Sequence, residues 1–566
     1  MRRWRSFSSL MVLGLVLAAC QSGSTQSAGP SGSAAATEEE SRAPFVATSY
    51  PEGGPADCAY GGEFSQIKAV DELTVEFSLC YPDPAFLSKI AFTANGINDT
   101  AWLEASMVNH LILAKPNGTG PYKLKEHVRG DHVTLERNDA YWGDKAIAEE
   151  LIVQWNAEAA ARLLALQAGT VDGIDNPGPD DFGAIEGDAN LQLINRPALN
   201  VFYVGMTNTF APFDQVEVRQ ALAMGIDRQR IVDTFYPGGS KVADYFTPCE
   251  IEFACEGDPW YEFDKAAANA LLDDALGTGV RFSTTIFYRD VVRGYLPDPP
   301  LVAQELQAQL QANLGITATI EPQESGAFID NSSAGLLDGL YLLGWGADYP
   351  DPTNFLDYHF NNPANLQFGS IDASITEPLS TGAQTEDADT RRTAYEEAND
   401  AIRAFVPMIP IASGASATAW KADVVGAHSS PLTSERFAVM DPGGRSQLVW
   451  MQNAYPLSLY CADETDGETL RLCEQISEPL YEYETGGTAP QPALAEACTA
   501  NDEATVWTCT LRSGVLFHDG AHLDASDVVL SYAVQWDLEH ELHIGRTGSF
   551  EYWGALFAAF LNTPAE

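Results

Sequence analysis

Basic residues are scarce in this chain. Lys and Arg number 31 against 79 Asp and Glu, a formal net charge of −48 over 566 residues. A surface of that sign makes nucleic acid and anionic lipid headgroups poor partners, because phosphate is repelled rather than neutralised. The acidity runs along the whole sequence and reads first as a solubility device. Long apolar runs are missing too: beyond the first 20 residues no stretch is long and apolar enough to cross a bilayer as a helix. The motifs of common chemistries are also absent. No Cys-x-x-Cys pair or clustered His suggests a structural zinc, no Gly-x-Ser-x-Gly elbow presents a nucleophile, and no phosphate-binding loop is present. His540-Glu541-Leu542-His543 spaces its histidines three apart, whereas the zinc-protease pattern sets them four apart on one helical face. No cofactor and no metal are expected. An exported hydrolase or metal-dependent enzyme with an acidic cleft is the alternative reading, and it lacks a nucleophile or ligand set.

What is present begins with an export signal. Arg2, Arg3 and Arg5 precede a short apolar segment at residues 10–19. It ends in Leu17-Ala18-Ala19-Cys20, which resembles the lipobox of bacterial lipoproteins, so residues 1–20 read as a lipoprotein signal peptide with Cys20 carrying the lipid. Residues 21–45 are rich in Ser, Gly, Ala and Glu and cannot bury enough surface to offset their ordering entropy; they read as a flexible tether.

Eight further cysteines fall as sequential neighbours: Cys58 and Cys80, Cys249 and Cys255, Cys461 and Cys473, Cys498 and Cys509. In an exported chain an even count so spaced predicts four local disulfides. Alternation in "VWTCTL" puts Trp507, Cys509 and Leu511 on one face of a strand, with Cys498 before it across a polar turn, so the last pair would staple a hairpin.

The body reads as mixed α/β. Leu73, Val75, Phe77 and Leu79 alternate as a strand, and Val133-Thr134-Leu135 does the same. A helix through Arg162, Gly169 and a strand at Val171 follow one another. The order recurs in a helix through Val302, Leu306, Leu310 and Leu314, then Gly315, then a strand from Ile316 to Ile320. Residues 214–231 read as two helical pieces with Asp227 capping the second. Gly118 to Tyr122 reads as a tight turn near a hinge, and His518, Asp519 and His522 as a capping and solubility arrangement before a helix near Asp524.

Six segments resemble bacterial extracellular solute-binding proteins of family 5, the peptide- and nickel-binding components of ABC importers: "GTGPYKLKEHVRGDHVTLERNDAYWGDK" (118–145), "ARLLALQAGTVDG" (161–173), "FDQVEVRQALAMGIDRQRIV" (213–232), "GWGADYPDPTNFL" (344–356), "EPLYEY" (478–483) and "LRSGVLFHDGAHLDASDVVLSY" (511–532). Their order departs from the family, where segments like 448–561 come first and segments like 64–439 follow. The chain therefore resembles a circular permutant, with residues 46–443 holding the central and C-terminal part of the fold and 444–566 its displaced N-terminal part.

The resemblance implies a two-lobed, type II (Venus-flytrap) α/β fold with an extra subdomain. The second lobe is expected at 238–426, and the rest belongs to the first lobe and the subdomain. It further implies a monomeric receptor that closes on a peptide or similar-sized solute and serves the transmembrane subunits of an ABC permease from the outer face of the membrane. In peptide-binding members the aspartate matching Asp348 pairs with the ligand ammonium and the Trp matching Trp345 lines the cleft; Tyr349 follows in the same motif. "YRDVVRGYLPDP" offers Arg289 or Arg293 as partner for a ligand carboxylate, with Tyr295 beside them. Tyr460, Asp463 and Thr465 follow a strand at 447–451, where the family brings a loop to the cleft.

Overall fold

Three main sheets organise the chain, and each takes strands from distant parts of the sequence. The computed structural model describes residues 45–107, 109–362 and 365–563. The export signal, Cys20 and the tether up to residue 44 lie outside the described residues.

The first lobe is built on a seven-stranded sheet, in edge-to-edge order Tyr122–Val128, His132–Arg137, Glu150–Trp155, Gln447–Gln452, Gly173–Asp175, Ser416–Lys421 and Leu191–Arg196. Gln447–Gln452 sits at its centre, parallel to both neighbours. Its alternation buries Leu448, Trp450 and Gln452. Trp450 stacks on Trp420 with ring centroids 4.7 Å apart, so this late segment is core to the lobe rather than an appendage.

The second lobe is a six-stranded sheet ordered Lys241–Val242, Met408–Ser413, Asn200–Met206, Leu340–Gly346, Ser283–Arg289 and Thr317–Gln323. The helix, glycine and strand order appears as expected: Pro299–Gln309 continues into a π turn, and Gly315 at φ +68° reverses the chain into Thr317–Gln323. Asp227 caps Arg228–Phe235 by accepting from Arg230 N–H at 3.0 Å. The lobe boundaries differ from the expected 238–426. Asn200–Met206 lies inside this sheet, and Val216–Gly225 and Arg228–Phe235 pack into the same core. Ser416–Lys421, inside the expected range, belongs to the other sheet. The reason is burial on both faces: Val201, Phe202, Tyr203 and Val204 are all inaccessible to water, which only a central, doubly covered strand allows. The chain crosses between the two sheets at residues 197–199 and 414–415. Asn200 stitches the crossings, donating to Gly414 O and accepting from Gly414 N–H, each at 2.8 Å.

A five-stranded antiparallel sheet forms the subdomain, ordered Ser49–Tyr50, Phe64–Asp71, Thr74–Leu79, Val506–Leu511 and Ala495–Ala500. The ring of Phe64 lies 4.9 Å from Phe557 and 5.3 Å from Trp553, both on helix Glu551–Phe557. Glu63 N–H donates to Phe557 O at 3.0 Å. Beneath this junction Lys89 Nζ is buried between Glu63 Oε2 at 2.8 Å and Asp83 Oδ2 at 2.9 Å.

All four expected disulfides are formed. Cys498 and Cys509 face each other directly in the hairpin ladder. Two turn readings are corrected. Gly118 and Gly120 pack backbone to backbone on residues 475–476: a Cβ at Gly118 would lie 2.1 Å from Ile476 O, and one at Gly120 2.7 Å from Gln475 O. His518 is a packing histidine, not a solubility group. Its Nε2 donates to Gly120 O at 3.0 Å, and burial pushes its pKa down to about 4.

Candidate ligand-binding site

The strand Leu340–Gly346 runs out at the edge of the second lobe, and the turn that follows presents Asp348. Asn354 shapes that turn. Its Oδ1 accepts from Asp348 N–H at 3.0 Å and from Trp345 Nε1–H at 3.3 Å, while its Nδ2 donates to Asp348 Oδ2 at 3.0 Å. The cap of helix Pro352–Leu356 is a different residue, Asp351, which accepts from Thr353 N–H at 3.0 Å and is pinned by Arg391 at 2.9 Å. The Asp348 carboxylate therefore does not cap this helix and meets it only through the side chain of Asn354.

From the subdomain, Tyr552 Oη donates to Asp348 Oδ1 at 2.9 Å. The Tyr483 hydroxyl lies within reach of Ser88 O at 2.7 Å and Asp348 O at 3.3 Å. Both oxygens of Asp348 thus meet neutral donors, and no cation pairs with it among the described residues. Burial raises its pKa to about 6, against the opposing hydrogen bonds from Asn354 and Tyr552. A carboxylate so placed has lone pairs to spare and lacks only positive charge. Trp345 stacks on Tyr358 with centroids 4.4 Å apart and meets the edge of His359 at 4.9 Å. Burial drives His359 down to about 3, so this wall is uncharged at neutral pH.

The remaining expected residues divide. Tyr349 is buried beside Asp348, its hydroxyl 3.0 Å from Thr353 Oγ1. Arg289 donates to Ser325 Oγ at 3.1 Å and to Tyr295 Oη at 3.3 Å, and pairs with no carboxylate among the described residues. Tyr295 packs on Gly344, where a Cβ would lie 2.4 Å from its ring. Arg293 faces Glu468 of the first lobe, Nη1 to Oε1 at 3.6 Å. Asp463 organises the loop at 545–550, accepting from Thr547 N–H and Oγ1–H at 2.6 Å, Gly548 N–H at 2.8 Å and Phe550 N–H at 2.9 Å. Tyr460 is buried edge-on to Phe550 at 6.2 Å, and Thr465 is exposed. The structure brings Trp345 to Asp348 and Tyr295 to Arg289, and holds Tyr460 and Asp463 to the subdomain loop. Asn354, Tyr358, Tyr483, Tyr552 and Glu468 were not singled out from sequence. Asn354 sits in the same quoted motif as Asp348, whereas Tyr552 and Glu468 carry no local signal.

Two open cavities lie elsewhere. One of about 700 Å³ is lined by Thr207, Phe360 and Ile371, and one of about 610 Å³ by Pro51, Tyr60 and Asn562; neither touches Asp348. No cluster of His, Cys, Asp and Glu able to hold a metal ion, and no helix long and apolar enough to cross a membrane, occurs among the described residues.

The sequence profile of bacterial extracellular solute-binding proteins, family 5, matches residues 30–367 and 489–545. The chain belongs to this family. It is 31% identical to a dipeptide-binding protein of Pseudomonas aeruginosa over 390 residues, 67% of this chain and 72% of that one. It is 32% identical to di/tripeptide-binding protein 3 of the same species, over 63% of this chain and 68% of that one. Among solved structures it resembles the periplasmic binding protein DppA of Helicobacter pylori in complex with the peptide STSA. That match has a TM-score of 0.58 and 25% identity, covering 64% of this chain and 71% of that one. Family 5 proteins are extracytoplasmic binding proteins of transport systems, not enzymes, which removes the hydrolase reading.

Proposed function

We propose that this family 5 protein captures peptides, or solutes of similar size, between its two lobes and hands them to the transmembrane subunits of an ABC permease. It acts as a monomer outside the cytoplasm, held at the membrane by a lipid on Cys20. The observation that carries the peptide reading is Asp348, met by Asn354 and Tyr552 and, among the described residues, by no cation. A peptide α-ammonium supplies the missing charge, and the stacked Trp345 and Tyr358 offer a wall that tolerates many side chains. Arg289, whose partners among the described residues are neutral, is the candidate anchor for a ligand carboxylate. The relatives named for di- and tripeptides, and the Helicobacter pylori protein bound to a peptide, support the same ligand class. Because Tyr552 and Tyr483 reach Asp348 from outside its lobe, capture and closure are one population shift. Mass spectrometry of ligand retained through gentle purification tests the reading: a peptide is expected, and a retained anion or sugar overturns it.

We further propose that the chain is a circular permutant of the family. Three observations support this: the profile matches in two separate blocks, alignment to the Helicobacter pylori structure covers about two thirds of each chain, and Gln447–Gln452 lies at the centre of the first lobe's sheet. Residues 443–446 form an exposed loop, and Asn562 and Thr563 line one cavity with Pro51 and Gly54. A variant reading 445–563, a short glycine linker, then 46–444 restores the family order. It should fold and bind ligand as the native chain does; an insoluble or non-binding product would count against the permutation.

A further inference from the structure

Arg293 and Glu468 meet across the two lobes. Arg293 is held on the second lobe by a tight turn, its N–H donating to Leu296 O at 3.2 Å and its O accepting from Leu296 N–H at 3.0 Å. Glu468 lies in the first turn of helix Gly467–Cys473 on the first lobe, where a carboxylate is favoured by the unpaired N–H groups. Its side chain is only 6% exposed, against 32% for Arg293, and the pair is 3.6 Å apart. Burial works against the charge on Arg293, and Glu468 first, then Tyr295, Asp466 and Asp175, act to keep it. Asp466 Oδ1 accepts from Thr469 N–H at 2.9 Å, while its Oδ2 is buried and accepts no hydrogen bond. The guanidinium thus already faces carboxylates supplied by the first lobe. A ligand carboxylate drawn to Arg293 has to come close to Glu468 and Asp466, two groups of its own sign. Arg289, six residues from Tyr295 in sequence and bonded among the described residues to the hydroxyls of Ser325 and Tyr295, stands in the opposite situation.

We propose that Glu468 is a specificity-determining residue: by occupying Arg293 across the closed lobes, it prevents that guanidinium from anchoring a ligand carboxylate. The ligand group that fits beside Arg293 is then neutral or a hydrogen-bond donor, such as a peptide amide, rather than a free C-terminus. This rests on the peptide reading above.

Calorimetry with trialanine and trialanine amide tests it, using the native protein, Glu468→Gln, Arg293→Gln and the double variant. Glu468→Gln keeps size and removes charge, so the freed Arg293 should strengthen binding of the acid by about tenfold relative to the amide. Arg293→Gln alone leaves Glu468 without its cation and should weaken the acid relative to the amide, whereas in the Glu468→Gln background it should remove the gain, so the double variant returns the acid-to-amide ratio to near the native value. The inference is overturned if Glu468→Gln leaves that ratio unchanged, or if the double variant keeps the raised ratio. Should Glu468→Gln fail to fold, as read by thermal unfolding, Glu468→Ala with and without Arg293→Gln gives the same comparison. The peptide reading fails separately: if N-acetyl-trialanine amide binds as well as trialanine amide, or no probe binds, that reading falls and takes this inference with it.

Discussion

The phenol of Tyr552 donates a 2.9 Å hydrogen bond to Asp348 although 204 positions separate them in the chain. Asp348 belongs to the second lobe and Tyr552 to the subdomain helix Glu551–Phe557, so this bond exists only when the two are brought together. Asp348→Ala should weaken binding of an ammonium-bearing ligand by roughly 2–5 kcal/mol, the cost of leaving an enclosed charge unpaired. Asp348→Asn should weaken it less, and Tyr552→Phe least. Calorimetry beside thermal unfolding separates this from misfolding: unchanged affinity in folded Asp348→Ala would place the anchor elsewhere.

Closure without ligand should depend on pH. The Asp348 carboxyl is raised to about 6 by burial, so the closed form holds its proton more tightly than an exposed aspartate does. A raised carboxyl favours the closed form fully below its exposed value near ~4, and that contribution is lost as pH rises through the raised value. Small-angle scattering of ligand-free protein should therefore show a larger radius of gyration at pH 8 than at pH 5. Saturating peptide should abolish the change, because an ammonium stabilises the charged carboxylate. A radius of gyration independent of pH would refute it.

Removing Lys89 should unfold the subdomain junction. Lys89→Met leaves Glu63 and Asp83 buried together without a cation, a loss of about 3–5 kcal/mol near neutral pH. Burial and Asp83 already hold the Glu63 carboxyl well above its ordinary range. Without Lys89 that carboxyl rises further, so the folded state gains from low pH and the deficit should shrink on acidification. Denaturant midpoints at pH 7 and pH 5 measure this. An equal deficit at both would mean that the lost charge is not the cause.

Gly118→Ala should destabilise the first lobe by about 1–3 kcal/mol, since its Cβ would meet the Ile476 carbonyl oxygen at 2.1 Å and backbone cannot rotate aside. An exposed glycine with nothing near its Cβ, such as Gly183, is the control. If the two variants unfold at the same denaturant concentration, residues 475–476 do not pack on Gly118 in solution.

Much of this protein was legible locally. The disulfides follow from cysteines close in sequence: Cys498 and Cys509 sit opposite one another because a short hairpin leaves them few other partners. Asp227 caps its helix, and Gly315 reverses the chain at positive φ, through bonds and dihedrals spanning a few residues. Trp345 and Asp348 were found because one motif holds both, together with the Asn354 that aims them. The lobe boundaries were not legible in this way. Asn200–Met206 is apolar on both faces, and such a run fits any doubly covered sheet, so only pairing with Leu340–Gly346 and Met408–Ser413 assigns it to the second lobe. Tyr552 at Asp348 and Glu468 at Arg293 were invisible for the same reason. Periodicity and capping report on neighbours along the chain, whereas a contact between two lobes is set by how separately folded sheets dock. A buried charge reveals its partner only once that docking has excluded water from around it.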